Sequence, residues 1–132
     1  MKILIAEDDF VSRIVLHEIL SPYGTCHETV DGLETLTAFR MALDSGTPYD
    51  LICLDIMMPK MDGQQVLLEI RKEEQARGIG GYEMVKVVMT TAVDDPKSIM
   101  SAFIKGHCEA YLTKPIGKDS LLTTLRELGL IH

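Results

Sequence analysis

Leu51-Ile52-Cys53-Leu54-Asp55 sets four consecutive apolar residues ahead of an acid. An unbroken apolar run of this length is the pattern of a β-strand covered on both faces. Two further runs end on ionisable groups. Ile3-Leu4-Ile5-Ala6 is followed by Glu7, Asp8 and Asp9, and Ala110-Tyr111-Leu112 leads into Lys114-Pro115. If these strands lie parallel in one sheet, their carboxyl ends share an edge, and several carboxylates meet one ammonium in a single pocket.

The segments between the runs supply the helices. After the strand Lys2 to Ala6, the residues Val11, Ile14, Val15, Glu18, Ile19 and Leu20 fall at helical spacing until Pro22 and Gly24. Thr25 to Val30 alternates weakly, as a second strand would. Asp31, a predicted N-cap, and Gly32 open a helix whose periodic face is Leu33, Leu36, Phe39, Arg40 and Leu43, stopped by Gly46 and Pro48. Beyond Asp55, the residues Pro59, Asp62 and Gly63 read as a loop. Val66, Leu67 and Ile70 then start a helix that dissolves near Gly78, Gly80 and Gly81. Met84 to Met89 is apolar and β-branched. Asp94-Asp95-Pro96 has the chemistry of a helix start, Ile99, Met100, Phe103 and Ile104 its stripe, and Gly106 its stop. A fifth strand at Ala110 to Thr113 precedes a last helix marked by Leu121, Leu122, Leu125 and Leu128. Strict alternation of strands and helices predicts one doubly wound α/β domain, because parallel strands need helical crossovers.

Composition agrees with a single domain over residues 1–132: hydrophobic residues make up 46% and charged residues 25%, as in ordinary globular proteins. A net charge of -7 argues against broad binding to nucleic acid or anionic membranes, and favours a cation or a basic partner. No apolar stretch approaches the ~20 residues needed to cross a bilayer, and the N-terminus meets acid too early for a signal peptide, so a cytoplasmic protein is expected. Cys26, Cys53 and Cys108 lack C-x-x-C pairing and read as reduced thiols, at least two of them filling the core.

The strand-end groups differ in how easily helix capping explains them. Asp8 or Asp9 can cap the helix that follows, but three acids in a row exceed that need. Asp55 is followed by Ile56-Met57-Met58-Pro59 and no helix starts before Gly63, so capping accounts for it poorly. Pro115 holds Lys114 extended, which suits a side chain reaching back over the sheet edge. Either Thr90 or Thr91 would place a hydroxyl at that edge. Crowded carboxylates cannot all stay ionised without a cation, and Mg²⁺ suits an all-oxygen site that leaves positions for water or phosphate. A carboxylate beside it can attack phosphorus and form an acyl phosphate.

Glu7-Asp8, Asp55-Ile56-Met57-Met58-Pro59-Lys60-Met61-Asp62-Gly63, Thr91-Ala92 and Tyr111-Leu112-Thr113-Lys114-Pro115 together resemble the signature of the bacterial response-regulator receiver domains, in order and over nearly the whole chain. The resemblance implies a flavodoxin-like (βα)5 fold with sheet order 2-1-3-4-5. It implies Asp55 as the phosphoacceptor, served by a histidine kinase or a histidine phosphotransfer protein. Mg²⁺ would be held by Glu7, Asp8, Asp55 and the backbone carbonyl of Met57, with Asp9 left as a cap. Lys114 would pair with the phosphoryl oxygens and precede Pro115 through a cis peptide bond. Thr91 and Tyr111 would act as the switch, reshaping the face built from the fourth helix, fifth strand and fifth helix for a downstream protein or a phosphorylation-dependent dimer.

On this reading the chain catalyses only its own phosphorylation and dephosphorylation, and is expected to be a stand-alone, chemotaxis-regulator-like receiver with no output domain. Met57 and Val93 are apolar where faster members carry water-orienting groups, which predicts slow self-dephosphorylation. The segment from Gly106 to Tyr111 is one residue longer than the common pattern. A haloacid-dehalogenase-like phosphatase would need an acid at Met57, and a flavin-binding module a phosphate loop where Glu7-Asp8-Asp9 stands. A degenerate receiver that binds partners unphosphorylated is the nearer competitor.

Overall fold

A computed structural model describes residues 1–92 and 107–132. Five strands, β1 (Lys2–Ala6), β2 (Thr25–Thr29), β3 (Leu51–Asp55), β4 (Lys86–Thr91) and β5 (Ala110–Thr113), form one sheet in the order β2-β1-β3-β4-β5, every pairing parallel. Helices α1 (Phe10–Leu20), α2 (Gly32–Asp44) and α3 (Gly63–Ala76) cross over between strands, and a C-terminal helix (Lys118–Glu127) follows β5. The helix expected from Asp94 to Gly106, with its stripe, lies outside the described residues, as does Val93.

The alternation of side chains along each strand divides the core in two. Leu4, Ala6, Ile52, Leu54, Val87 and Met89 meet Leu36 and Phe39 of α2 and Val66, Leu67 and Ile70 of α3. On the opposite face Ile3, Ile5, Leu51, Cys53 and Val88 meet Leu16 and Leu20 of α1 and Leu121, Leu122 and Leu125 of the C-terminal helix. β3 is buried at every position, as its continuous apolar run demands. β2 is the edge, mostly exposed or half-buried, which is why its sequence alternates weakly. The three cysteines are free; Cys53 is buried, and Cys26 and Cys108 pack against the two cores. Among the described residues, no helix is long and apolar enough to cross a membrane.

Capping follows the aspartates. Asp9, Asp31 and Asp62 accept from the backbone N–H groups of Ser12, Glu34 and Gln65 at 2.9, 2.8 and 3.0 Å, satisfying N–H groups that a helix start leaves without an internal partner. Asp62 is thus a cap rather than a mere loop residue, and α3 begins at Gly63 itself.

Two helix faces differ from the sequence expectation. In α1 the buried residues are Leu16 and Leu20, while Val11 and Ile14 are 66% and 41% exposed. In α2 Thr35 and Ala42 join Leu36 and Phe39 inside, whereas Leu33 and Arg40 face out. Hydrophobic spacing alone did not give the rotation of either helix. In α2 a polar contact contributes: the Thr35 hydroxyl meets that of Thr29 at 2.8 Å and donates to the Asp31 carbonyl.

Candidate phosphoacceptor and metal site

The carboxyl ends of β1, β3, β4 and β5 meet at one edge of the sheet. Glu7 extends the β1–β2 ladder by one bond, its N–H donating to the Thr29 carbonyl at 3.0 Å, and this carries its side chain into full burial. Asp8, the next residue, is exposed. Asp55 is the last residue of β3, in register with Thr90 and almost completely buried. The chain turns at once: the Ile56 N–H donates to the Thr90 carbonyl, and the Met57 N–H donates to Asp55 Oδ1 at 3.2 Å. A Cβ on Gly63 would lie 2.2 Å from the Asp55 carbonyl oxygen, so only glycine lets α3 start this close beneath the acid.

Lys114 arrives from β5. Its N–H donates to the Thr91 carbonyl at 2.7 Å, and the bond to Pro115 is cis. Its Nζ lies 2.6 Å from Glu7 Oε1 and 3.2 Å from Asp55 Oδ2. Carboxylate oxygens of Glu7, Asp8 and Asp55 all fall within 4.8 Å of one another. Asp9 does not belong to this group; its Ser12 hydrogen bond holds its carboxyl below the usual range, as for a cap. Met57 is exposed beside Asp55. Thr91 is fully buried, its hydroxyl donating to the Ala92 carbonyl at 3.3 Å, and Tyr111 on β5 is partly exposed. Thr90 carries a buried hydroxyl with no hydrogen-bond partner among the described residues.

Three carboxylates cluster near one ammonium, and the imbalance is visible at Asp55. Burial pushes the Asp55 carboxyl up to about 7, and the hydrogen bond and charge of Glu7 push the same way against Lys114. Burial by itself would lower the Lys114 ammonium, but Glu7 and Asp55 outweigh it and leave it raised. Glu7 Oε1 is fully buried, with the Lys114 Nζ 2.6 Å away as its charge partner. A cluster of hard oxygen donors with surplus negative charge fits a divalent cation such as Mg²⁺.

Sequence reasoning missed two residues here. The sequence places Gly63 in a loop and gives no sign of Arg13, whose guanidinium donates to the Glu7 carbonyl at 3.0 Å. Only the close packing of α3 under Asp55 and of α1 against the end of β1 reveals them.

A family model described as "Response regulator receiver domain" matches residues 3–126. The chain belongs to this family. Among relatives of this receiver, it is 32% identical to "Probable transcriptional regulator ycf27" of Cyanophora paradoxa, over 96% of this chain and 47% of that protein. It is 28% identical to "Two-component response regulator ORR41" of Oryza sativa subsp. japonica, over 98% of this chain and 95% of that one. The receiver thus spans about half the length of the first relative and nearly all of the second. Among solved structures it resembles the receiver domain of the histidine kinase CKI1 from Arabidopsis thaliana, complexed with Mg²⁺ and BeF₃⁻. The TM-score is 0.80 and the identity 26%, covering 97% of this chain and 89% of that one.

Proposed function

We propose that this receiver is a phosphoacceptor switch in which Asp55 takes a phosphoryl group from a histidine kinase or a histidine phosphotransfer protein. The observation that carries the reading is the convergence of Glu7, Asp8 and Asp55 within 4.8 Å, with the Lys114 ammonium 3.2 Å from Asp55 Oδ2. An Asp55 carboxylate oxygen supplies the electron pair for a new O–P bond, while the bond from phosphorus to the donor's imidazole nitrogen breaks and its pair returns to that nitrogen. Glu7, Asp8, Asp55 and the Met57 carbonyl would hold Mg²⁺, which when bound would offset charge on the transferring oxygens. Lys114 contributes a second positive charge from the end of β5 and stays with the product as its counter-ion.

The acyl phosphate carries about -1.5 to -2 charges, by analogy with phosphorylated hydroxyls, in place of the single charge of the carboxylate. The Thr91 hydroxyl exchanges its short-range partner, Ala92, for a phosphoryl oxygen, and Tyr111 follows into the vacated space. The altered face of β5 and the C-terminal helix is read by a downstream protein or by a second copy. Met57 offers no side chain to orient an attacking water, so phospho-Asp55 persists well beyond seconds. The chain performs no chemistry on other substrates and works in the cytoplasm.

Beryllofluoride, which mimics an acyl phosphate, tests this reading. With Mg²⁺ present, it is expected to shift the amide resonances of Thr91, Tyr111 and Lys114, with no shift after D55N or in EDTA. An unchanged spectrum of the wild-type protein would favour a receiver that binds partners without phosphorylation.

A further inference from the structure

Arg13 sits in the first turns of α1 with its side chain only 16% exposed. Its guanidinium Nη1 donates to the Glu7 carbonyl at 3.0 Å and to the Asp8 carbonyl at 3.4 Å. Its Nε lies 3.3 Å from Glu28 Oε1 on the edge strand β2, and Glu28 Oε2 meets His17 Nδ1, one turn further along α1, at 2.7 Å. The Phe10 ring lies 5.6 Å from the guanidinium carbon. One planar group therefore joins α1, β2 and the end of β1, at the two residues that supply two of the three clustered carboxylates.

On charge alone this is a poor place for a cation, since a guanidinium beside a metal site repels the ion the site is built to hold. Its bonds to Glu7 and Asp8 go to main-chain oxygens. We propose that Arg13 is a positioning residue for the divalent cation: by holding both carbonyls it fixes the peptide planes from which the Glu7 and Asp8 side chains depart. This inference rests on the metal-dependent phosphoacceptor reading. Such precision matters for Mg²⁺, which demands near-ideal octahedral geometry at about 2.0–2.1 Å, and much less for Ca²⁺, whose shell is larger and more flexible. Groups that orient metal ligands from behind are typically worth about 10–100-fold in affinity. A lysine could keep the charge and one hydrogen bond, but it lacks the planar fork that reaches Glu28 as well.

The test is titration of the full, metal-free chain with MgCl₂ and separately with CaCl₂, with no phosphoryl donor present. Calorimetry gives the affinities and thermal melts of each variant monitor the fold. R13A is expected to weaken Mg²⁺ binding by about 10-fold or more, while Ca²⁺ binding weakens by less than about 3-fold. R13K should fall between R13A and wild type, and E28A, which removes the acceptor that ties the guanidinium to β2, should weaken Mg²⁺ binding a few-fold. A purely electrostatic Arg13 gives the opposite sign, with R13A binding Mg²⁺ more tightly. Unchanged or tighter Mg²⁺ binding in folded R13A overturns the proposal, as does an equal loss of Mg²⁺ and Ca²⁺. If R13A does not fold, wild-type Mg²⁺ affinity in both R13K and E28A overturns it. A wild-type chain with no Mg²⁺ affinity overturns the phosphoacceptor reading and Arg13's role together, whereas a binding wild type with an indifferent R13A overturns Arg13 alone.

Discussion

Asp55 is buried among groups that favour its neutral form, and this has a measurable consequence for stability. The carboxyl holds its proton to about pH 7 when folded, against an ordinary value of 3.8. The folded state therefore binds more protons than the unfolded chain across that interval. The associated stability is complete below the lower value and is lost as pH rises through the upper one. In metal-free buffer the melting temperature is expected to fall between about pH 4 and pH 7. D55N, uncharged and nearly isosteric, should lack this part of the decline and be more stable than wild type at about pH 8, by roughly 1–2 kcal/mol. Added Mg²⁺ should stabilise the wild type more than D55N. Parallel pH curves for the two proteins would contradict the assignment of crowding to Asp55.

At the scale of elements, a second charged cluster holds α3 to the sheet far from the phosphoacceptor. Arg71 Nη1 binds Glu74 Oε1 at 2.7 Å and the Val85 carbonyl at 3.0 Å, its Nε reaches the His107 carbonyl, and its Nη2 spans both oxygens of Glu109. Glu74 and Glu109 in turn accept the backbone N–H groups of Val85 and Val87. One guanidinium thus connects α3, the start of β4 and the approach to β5, where Tyr111 lies. R71A would leave Glu74, 2% exposed, buried without its charge partner, and should lower stability by about 3 kcal/mol. By contrast, removing Arg40 from its pair with Glu73, where the arginine is 45% exposed, should cost under about 1 kcal/mol. Urea titrations of the two variants would separate these cases, and equal losses would contradict the burial argument. The sequence does not reveal which arginine is buried: Arg40 lies among apolar residues and Arg71 among charged ones, yet it is Arg71 that distant segments enclose.

Across the whole molecule, legibility followed how local each signal was. The sheet could be read because β3, buried on both faces, is an unbroken apolar run, and because alternation of strands with helical crossovers leaves few topologies. The convergence of Glu7, Asp8, Asp55 and Lys114 could be read because parallel strands bring their carboxyl ends to one edge. Helix rotation was less accessible: Val11 and Leu33 fit the spacing yet lie outside, since the facing strands decide which side of a helix is covered. Arg13 and Gly63 were not legible, because their roles rest on how closely a helix start approaches the strand end just before it, which residue spacing does not show.

The central claim is that these convergent groups make Asp55 the acceptor in a metal-dependent switch. Intact-mass spectrometry after treatment with acetyl phosphate tests it most directly. The account predicts the gain of one phosphoryl group with Mg²⁺, mapped to Asp55, absent in EDTA and absent in D55N. No mass gain in the wild-type protein, or an equal gain in D55N, would contradict it.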